Sequence, residues 1–376
     1  MISLYEVEIA VVGAGPAGLS AAREAAGWGA LVTVYDRDER PGGQLIKQTH
    51  RFFGSKAQRA GTRGIHIASQ LARELEQEPR ASLFQNADVL AYYPDKVMAY
   101  EKDGRWEKCR PKALIIATGA SERPLAFPGS DLPGVYGAGA IQTLMNVHGV
   151  RPGRRVLMVG AGNIGLIVAY QLLQADVEVA GVIEASGNVG GYWVHASKLR
   201  RLGVPILTHH SIERALGDRE VTGARITELD ADWNPVSGTD RVIDCDAIGL
   251  AVGLNPLSDL LWQAGCAMAW VDELGGYVPL RQPTLETTVK GIYVAGDATG
   301  IEEASAAMME GALAGLGAAH SLGYVAEDAY DTRRREIARE LEALRNGPHG
   351  AVIRNGLDRL KTARPITQVL VEGCEH

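Results

Sequence analysis

Glu8-Ile9-Ala10-Val11-Val12-Gly13-Ala14-Gly15-Pro16-Ala17-Gly18 is the stretch that decides the fold of this 376-residue chain. Its apolar start predicts a short buried strand, and the glycines at 13, 15 and 18 predict a tight turn opening a helix. An Ala-rich helical pattern runs from Leu19 to about Trp28, and a second apolar run, Leu31 to Tyr35, ends at Asp36. In a turn of this kind the first glycine permits the bend and the second lets a pyrophosphate approach the backbone. The third lets helix pack closely on strand, with the helix N-terminus aimed at the phosphates. An acid about twenty residues further on accepts hydrogen bonds from a ribose, which is the place of Asp36.

The same order returns later. Arg155 to Val159 predicts a strand, Gly160-Ala161-Gly162-Asn163-Ile164-Gly165 the turn, and Leu166 to Leu173 the opening of a helix. Val177 to Ile183 predicts the next strand, which ends at Glu184. Strand, glycine turn, helix, strand, acid, twice in one chain, predicts an α/β protein with two Rossmann-like dinucleotide-binding domains. Ala113 to Gly119 reads as a buried strand ending in a turn at Ala117-Thr118-Gly119. Pro124 to Gly134, with Pro128, Gly129 and Pro133 inside it, reads as a connection between domains. Ala247 to Val252 is a further strand that ends at Gly253 and leads back out of the second unit, and Gly291 to Asp297 is another strand and turn. The expected boundaries are therefore 1–122 and 246–325 for a discontinuous first domain, 123–245 for the domain inserted in it, and 326–376 for a helical tail.

Composition narrows the function. A net charge of −7 argues against nucleic acid, whose phosphates need a basic surface. No apolar run reaches the length of a membrane span, and the nearest, Ala304 to Ala319, is interrupted by Glu310. Glu6 and Glu8 in the first strand argue against a secretory leader. Cysteines stand only at 109, 245, 266 and 374, with no CxxC or CxxxxC pair. The local pattern of a redox dithiol, a zinc site or a cysteine-bound iron–sulfur cluster is missing, and four reduced cysteines in a cytoplasmic protein are the expectation.

On Gly13–Gly18, Gly42-Gly43-Gln44, Ala117-Thr118-Gly119, Gly160–Gly165 and Gly296-Asp297, the chain resembles the flavoproteins with two dinucleotide-binding domains that include the thioredoxin reductases. The resemblance spans roughly residues 5 to 325. It implies FAD at the first motif, with Gly13, Gly15, Pro16, Ala17, Gly18, Asp36 and Arg37. It implies a nicotinamide dinucleotide at the second, with Gly160, Gly162, Asn163, Ile164, Gly165 and Glu184. Gly43, Gln44, Ala117, Thr118 and Gly119 are implied to complete the FAD site. Gly296 and Asp297 are implied to hold the ribityl and phosphate part of FAD, and the following helix to face the flavin, where its positive end would stabilise the anionic reduced ring. Glu184 suits a free ribose 2′-hydroxyl and would repel a 2′-phosphate. Ala185-Ser186-Gly187 offers no arginine, so NAD(H) is expected in preference to NADP(H).

The departures matter equally. Gln44-Leu45-Ile46-Lys47-Gln48-Thr49-His50 has no cysteine where a disulfide reductase of this type needs one beside the flavin. Gly42-Gly43-Gln44-Leu45 and Gly134-Val135-Tyr136-Gly137-Ala138-Gly139-Ala140 are similar to a narrower group, the dinucleotide-binding subunits of hetero-oligomeric amine and amino-acid dehydrogenases. That group includes the subunits of sarcosine oxidase, proline and hydroxyproline dehydrogenases, opine oxidase and hydrogen cyanide synthase. The resemblance implies a partner, a second flavoprotein dehydrogenase subunit. It also implies that a small iron–sulfur protein, or else the partner subunit, supplies the iron–sulfur step, because Cys374 alone cannot ligate a cluster. A stand-alone NADH-dependent reductase and a scaffold with vestigial sites are the other readings. Hydride transfer between stacked rings needs no side-chain nucleophile, so no catalytic residue is nominated, and no metal ligand either.

Several residues invite a role and have a plainer one. Lys47 and His50 could sit near a flavin, although solvated loop positions are the ordinary fate. His209-His210 reads as a surface pair at a strand end, Trp262 and Trp270 as packing residues, and Arg333-Arg334-Arg335 as a solvated helix face balanced by Glu336, Glu340 and Glu342.

Overall fold

The computed structural model describes residues 4–52, 58–347 and 350–366. The chain forms two compact units. The first takes residues 1–46, 51–121 and 255–376, and the second takes 47–50 and 122–254.

In the first unit a seven-stranded sheet is built around Leu4–Val12. Val32–Tyr35 lies parallel on one side of it, with Ala81–Phe84 beyond, and Arg105–Ile116 lies parallel on the other. The long strand Arg105–Ile116 does double service. Its first half pairs antiparallel with Met98–Lys102, itself joined to Ala87–Tyr92, and its last three residues pair parallel with Ile292–Val294. Ile9, Ala10, Val11, Ile115 and Val294 are fully buried, as a parallel sheet covered on both faces requires.

The helix Pro16–Gly27 packs on this sheet and on the Ala-rich helix Ala304–Ser321. The two helices approach so closely that a Cβ at Gly311 would lie 2.0 Å from the Ala17 carbonyl oxygen, and one at Gly315 would lie 2.2 Å from that of Ala21. Two further helices, Glu327–Arg345 and Ala351–Thr362, complete the unit. Tyr330, Ile337 and Leu341 of the first are buried, and Leu360 of the second packs with Val271, Leu274 and Val278. These two helices thus contribute buried side chains to the first unit.

The second unit repeats the plan with five parallel strands in the order Ile206–Thr208, Glu178–Glu184, Arg155–Val159, Ala247–Leu250, Val135–Gly137. A three-stranded antiparallel sheet, His210–Leu216, Gly223–Glu228 and Arg241–Asp244, is added to it. The unit ends at Leu254 instead of 245, because Ala247–Leu250 is hydrogen-bonded between Arg155–Val159 and Val135–Gly137. Both units therefore flank the glycine-turn strand with the acid-bearing strand on one side and a closing strand on the other. Among the described residues no helix is long and apolar enough to cross a membrane.

The close helix crossing gives a test of this packing. Gly311→Val forces a branched side chain into the Ala17 backbone and is expected to cost about 3 kcal/mol, read as a fall of several degrees in the apparent Tm. Gly27→Ala, where an added Cβ meets nothing within 4 Å, should leave Tm unchanged or slightly raised.

Candidate functional site

Two carboxylates lock the two glycine turns in the same way. Asp36, 7% exposed at the end of its strand, accepts a short hydrogen bond from the Ala14 N–H, and its other oxygen accepts the Asp38 N–H at 2.8 Å. Glu184 accepts the Ala161 N–H at 2.7 Å with one oxygen and the Ser186 N–H at 3.0 Å with the other. Each acid therefore clamps the residue after the first glycine to its own strand end. Burial pushes the Asp36 carboxyl up from its ordinary range, and the two N–H groups pull it back.

The glycines sort by what surrounds them. Gly13 and Gly160 sit at φ +103° and +104°, and a Cβ there would strike the carbonyl oxygens of Ala117 and Ala251 at 2.4 and 2.3 Å. The fold itself demands glycine at those two places. At Gly162 an added Cβ would meet nothing within 4 Å, and at Gly15 only the Gly43 Cα at 4.0 Å. Glycine there leaves a cradle that a side chain would fill, in front of helices Pro16–Gly27 and Asn163–Gln174, whose N-termini carry no side-chain cap. Bare N–H groups and a positive helix end suit a pyrophosphate.

Around the first turn, Gly42 donates its N–H to the Ala14 carbonyl at 2.7 Å, and Gly43 folds back against Gly15. Ala117 donates to the Val12 carbonyl at 2.9 Å, and Thr118 Oγ1 donates to the Leu257 carbonyl at 2.7 Å. Gly119 follows at φ +78°. Gly296, at φ +70°, lies where its Cβ would be 2.8 Å from that of Ala17. The structure thus brings Gly13, Gly15, Ala17, Gly43, Ala117 and Gly296 around one turn, with Asp297 next in the chain. Arg37 points outward beside Asp38, and Gln44 is exposed. In the second unit, Asn163 Oδ1 accepts the Tyr192 N–H at 2.8 Å, which folds residues 185–192 over the turn, and Ile164 is exposed.

Asp297 Oδ1 accepts the Glu302 N–H at 3.3 Å. Burial pushes its carboxyl up to about 7 despite that hydrogen bond, and Glu310 and Glu302 nearby add to the rise. Glu310 was legible only as an interruption in an apolar helix. It is 2% exposed, and its Oε2 accepts the Gly296 N–H at 3.0 Å and the Thr299 hydroxyl at 2.9 Å.

Other expectations need correction. Lys47–His50 belongs to the second unit: Lys47 Nζ donates to the Gly139 carbonyl at 3.1 Å, and Gln171 Nε2 donates to Thr49 Oγ1 at 2.8 Å. His50 is half-buried, and partial burial together with the facing His195 and Lys198 pulls its imidazole down to about 4. His210 is buried against the Thr208 carbonyl and Arg241, and only His209 is exposed. Arg333 is half-buried and grips Glu24 of helix Pro16–Gly27 through two hydrogen bonds of 2.9 and 3.0 Å, so that part of the basic run is a docking contact. Trp262 and Trp270 both pack edge-on to Tyr277. Cys109, Cys245 and Cys266 are buried free thiols, and burial pushes Cys245 up to about 12; Cys374 lies outside the described residues. Among the described residues no group of three or more His, Cys, Asp or Glu could hold a metal ion.

The chain belongs to the pyridine nucleotide-disulphide oxidoreductase family, which it matches over residues 7–311. Members of this family are FAD-dependent oxidoreductases that bind FAD and a pyridine nucleotide. The chain is 30% identical over 340 residues to an opine oxidase subunit of Agrobacterium tumefaciens (strain Ach5), covering 86% of this chain and 68% of that one. It is 28% identical over 367 residues to hydrogen cyanide synthase subunit HcnB of Pseudomonas aeruginosa, covering 89% and 75%. Its fold is that of the thioredoxin reductase of T. acidophilum, with a TM-score of 0.68 at 23% identity, over 84% of this chain and 99% of that one.

Asp297 offers a pH test. Its carboxyl is raised in the folded protein, so ionising it costs stability as pH climbs from about 4 to about 7, and the whole cost is present above that window. Asp297→Asn should therefore stabilise the ligand-free protein at pH 8 by on the order of a few kcal/mol, with the gain vanishing toward pH 4. Thermal unfolding of both proteins across that range checks the sign.

Proposed function

We propose that this chain is the electron-transferring subunit of a hetero-oligomeric amine or amino-acid dehydrogenase, with FAD on the first unit and NAD(H) on the second. The observation that carries the reading is the duplicated lock, Asp36 on Ala14 and Glu184 on Ala161. Beside it, Gly15 and Gly162, where an added Cβ would meet nothing nearer than 4.0 Å, keep both turns open to a phosphate, which packing alone does not require.

The residues have separate tasks. Gly15 gives the pyrophosphate of FAD room to approach, the N–H groups opening helix Pro16–Gly27 donate to it, and Asp36 keeps a lone pair on each oxygen for ribose hydroxyls while clamping the turn. Gly296 and Asp297 hold the ribityl and phosphate part. Gly162, Asn163 and the helix they open receive the second pyrophosphate, and Glu184 takes the adenosine ribose of NAD(H). Bound there, the two cofactors supply hydride exchange between nicotinamide and flavin, which no side chain of the protein performs.

The described cysteines speak for a reaction other than disulfide reduction. The described cysteines are buried, and burial raises the thiols of Cys109, Cys245 and Cys266 and so disfavours the reactive thiolate. The relatives named as subunits of opine oxidase and hydrogen cyanide synthase support a partner chain, taken here to be a second flavoprotein dehydrogenase subunit, with a small iron–sulfur protein carrying electrons onward.

Two measurements test this. Flavin reduction by NADH should outpace that by NADPH in stopped flow, and Glu184→Arg should narrow or reverse a preference of about tenfold by pairing with the 2′-phosphate. Equal rates in the parent would refute the assignment of Glu184. The isolated chain should reduce a dye with NADH and show no activity with sarcosine, proline, hydroxyproline or opines until the products of neighbouring genes are added. Brisk amine oxidation by the chain alone would overturn the subunit reading, and a lasting lack of it in the mixture would favour a stand-alone NADH-dependent reductase.

A further inference from the structure

Glu310 is the one acidic residue of helix Ala304–Ser321, and its carboxylate side chain is 3% exposed. A buried carboxylate is tolerated only when paired and hydrogen-bonded. Glu310 is both. Its Oε1 receives Arg345 Nη2 at 2.6 Å, while Oε2 receives the Gly296 N–H and the Thr299 hydroxyl.

Arg345 is the last residue of helix Glu327–Arg345, and its side chain is 13% exposed. Besides Glu310 it holds both oxygens of Glu302, with Nε at 3.0 Å from each and Nη2 at 2.6 Å from Oε2. Glu302 in turn donates its backbone N–H to Asp297. One guanidinium therefore grips the residues on both sides of the start of helix Ala304–Ser321, and each of those residues grips the Gly296–Thr299 turn. Arg281, half-buried, is a further cation facing Glu302 and Glu310. Among the described residues, Arg281 and Arg345 thus stand against the carboxyls of Asp297, Glu302 and Glu310.

We propose that Arg345 is a positioning residue for the FAD site: from the C-terminal helix it fixes the Gly296–Thr299 turn and the Asp297 carboxyl through Glu310 and Glu302. The inference rests on the reading that Gly296 and Asp297 hold FAD. Docking of the helix does not require this contact, because Tyr330, Ile337 and Leu341 are buried along it and Arg333 already ties it to Glu24. A planar fork serves two carboxylates at once, which an ammonium does less well.

The experiment titrates FAD into ligand-free protein, following flavin fluorescence, and records the apparent Tm of the same samples. Arg345→Met should raise the FAD Kd about tenfold or more by leaving buried carboxylates underpaired. Arg345→Lys, which keeps the charge and is the milder variant should the first fold poorly, should fall between it and the parent. Arg333→Met, which loosens the same helix away from the turn, should lower Tm and leave the Kd within about twofold, as independent sites do. In a Glu310→Gln background, where the acceptor for Gly296 and Thr299 persists without its charge, Arg345→Met should have a smaller effect on the Kd than in the parent. An Arg345→Met protein that loses Tm but binds FAD like Arg333→Met would overturn the proposal, as would an undiminished effect in the Glu310→Gln background. A parent that takes up no FAD would overturn the site assignment itself and this inference with it.

Discussion

Both halves of the molecule depend on one interaction, a carboxylate at a strand end accepting the backbone N–H just after the first glycine of the neighbouring turn. It joins two strands at the place where the chain must bend at positive φ, and it leaves the next N–H groups facing outward at a helix start. A neutral acceptor would make a weaker bond there, since hydrogen bonds to charged groups contribute about 1.5–3 kcal/mol against about 1 for ordinary ones. On the proposed reading, the acid assigned to a ribose at each site is also the one that shapes the turn in front of the helix. Binding and folding share one side chain at each site.

This sharing explains why so much was legible in the sequence. A turn that must be glycine at 13 and 160 for steric reasons, glycine at 15 and 162 for access, and acidic at 36 and 184 leaves a dense local signature, and the repeat of it predicts the two-unit fold. Short-range patterns of this kind survive translation into structure because neighbours in sequence are the partners in space.

Where the partners are distant, local sequence carries no sign of them. Glu310 is visible in the sequence as a lone acid among small residues, yet nothing in its surroundings points to Arg345 or to Arg281. Ala247–Leu250 reads in the sequence only as a strand leading out of the second unit; its place between Arg155–Val159 and Val135–Gly137 is set by pairing, and it takes the second unit to Leu254. Lys47–His50 follows the glycine pair by only a few residues and nevertheless packs with the second unit, with His50 half-buried and facing His195. The basic run at 333–335 balances on paper with its own helix, whereas Arg333 reaches Glu24 more than three hundred residues away.

The crossing of helix Ala304–Ser321 on helix Pro16–Gly27 also governs the order in which the protein can assemble during its synthesis. Gly311 and Gly315 lie against Ala17 and Ala21, so the first core has no complete partner surface until synthesis has passed helix Ala304–Ser321, roughly three hundred residues after helix Pro16–Gly27. The second unit, apart from Lys47–His50, is continuous from 122 to 254 and has its sheet partners within that span. It can therefore be complete while the first half still waits with an open sheet face, which is the interval in which a chaperone would find this protein.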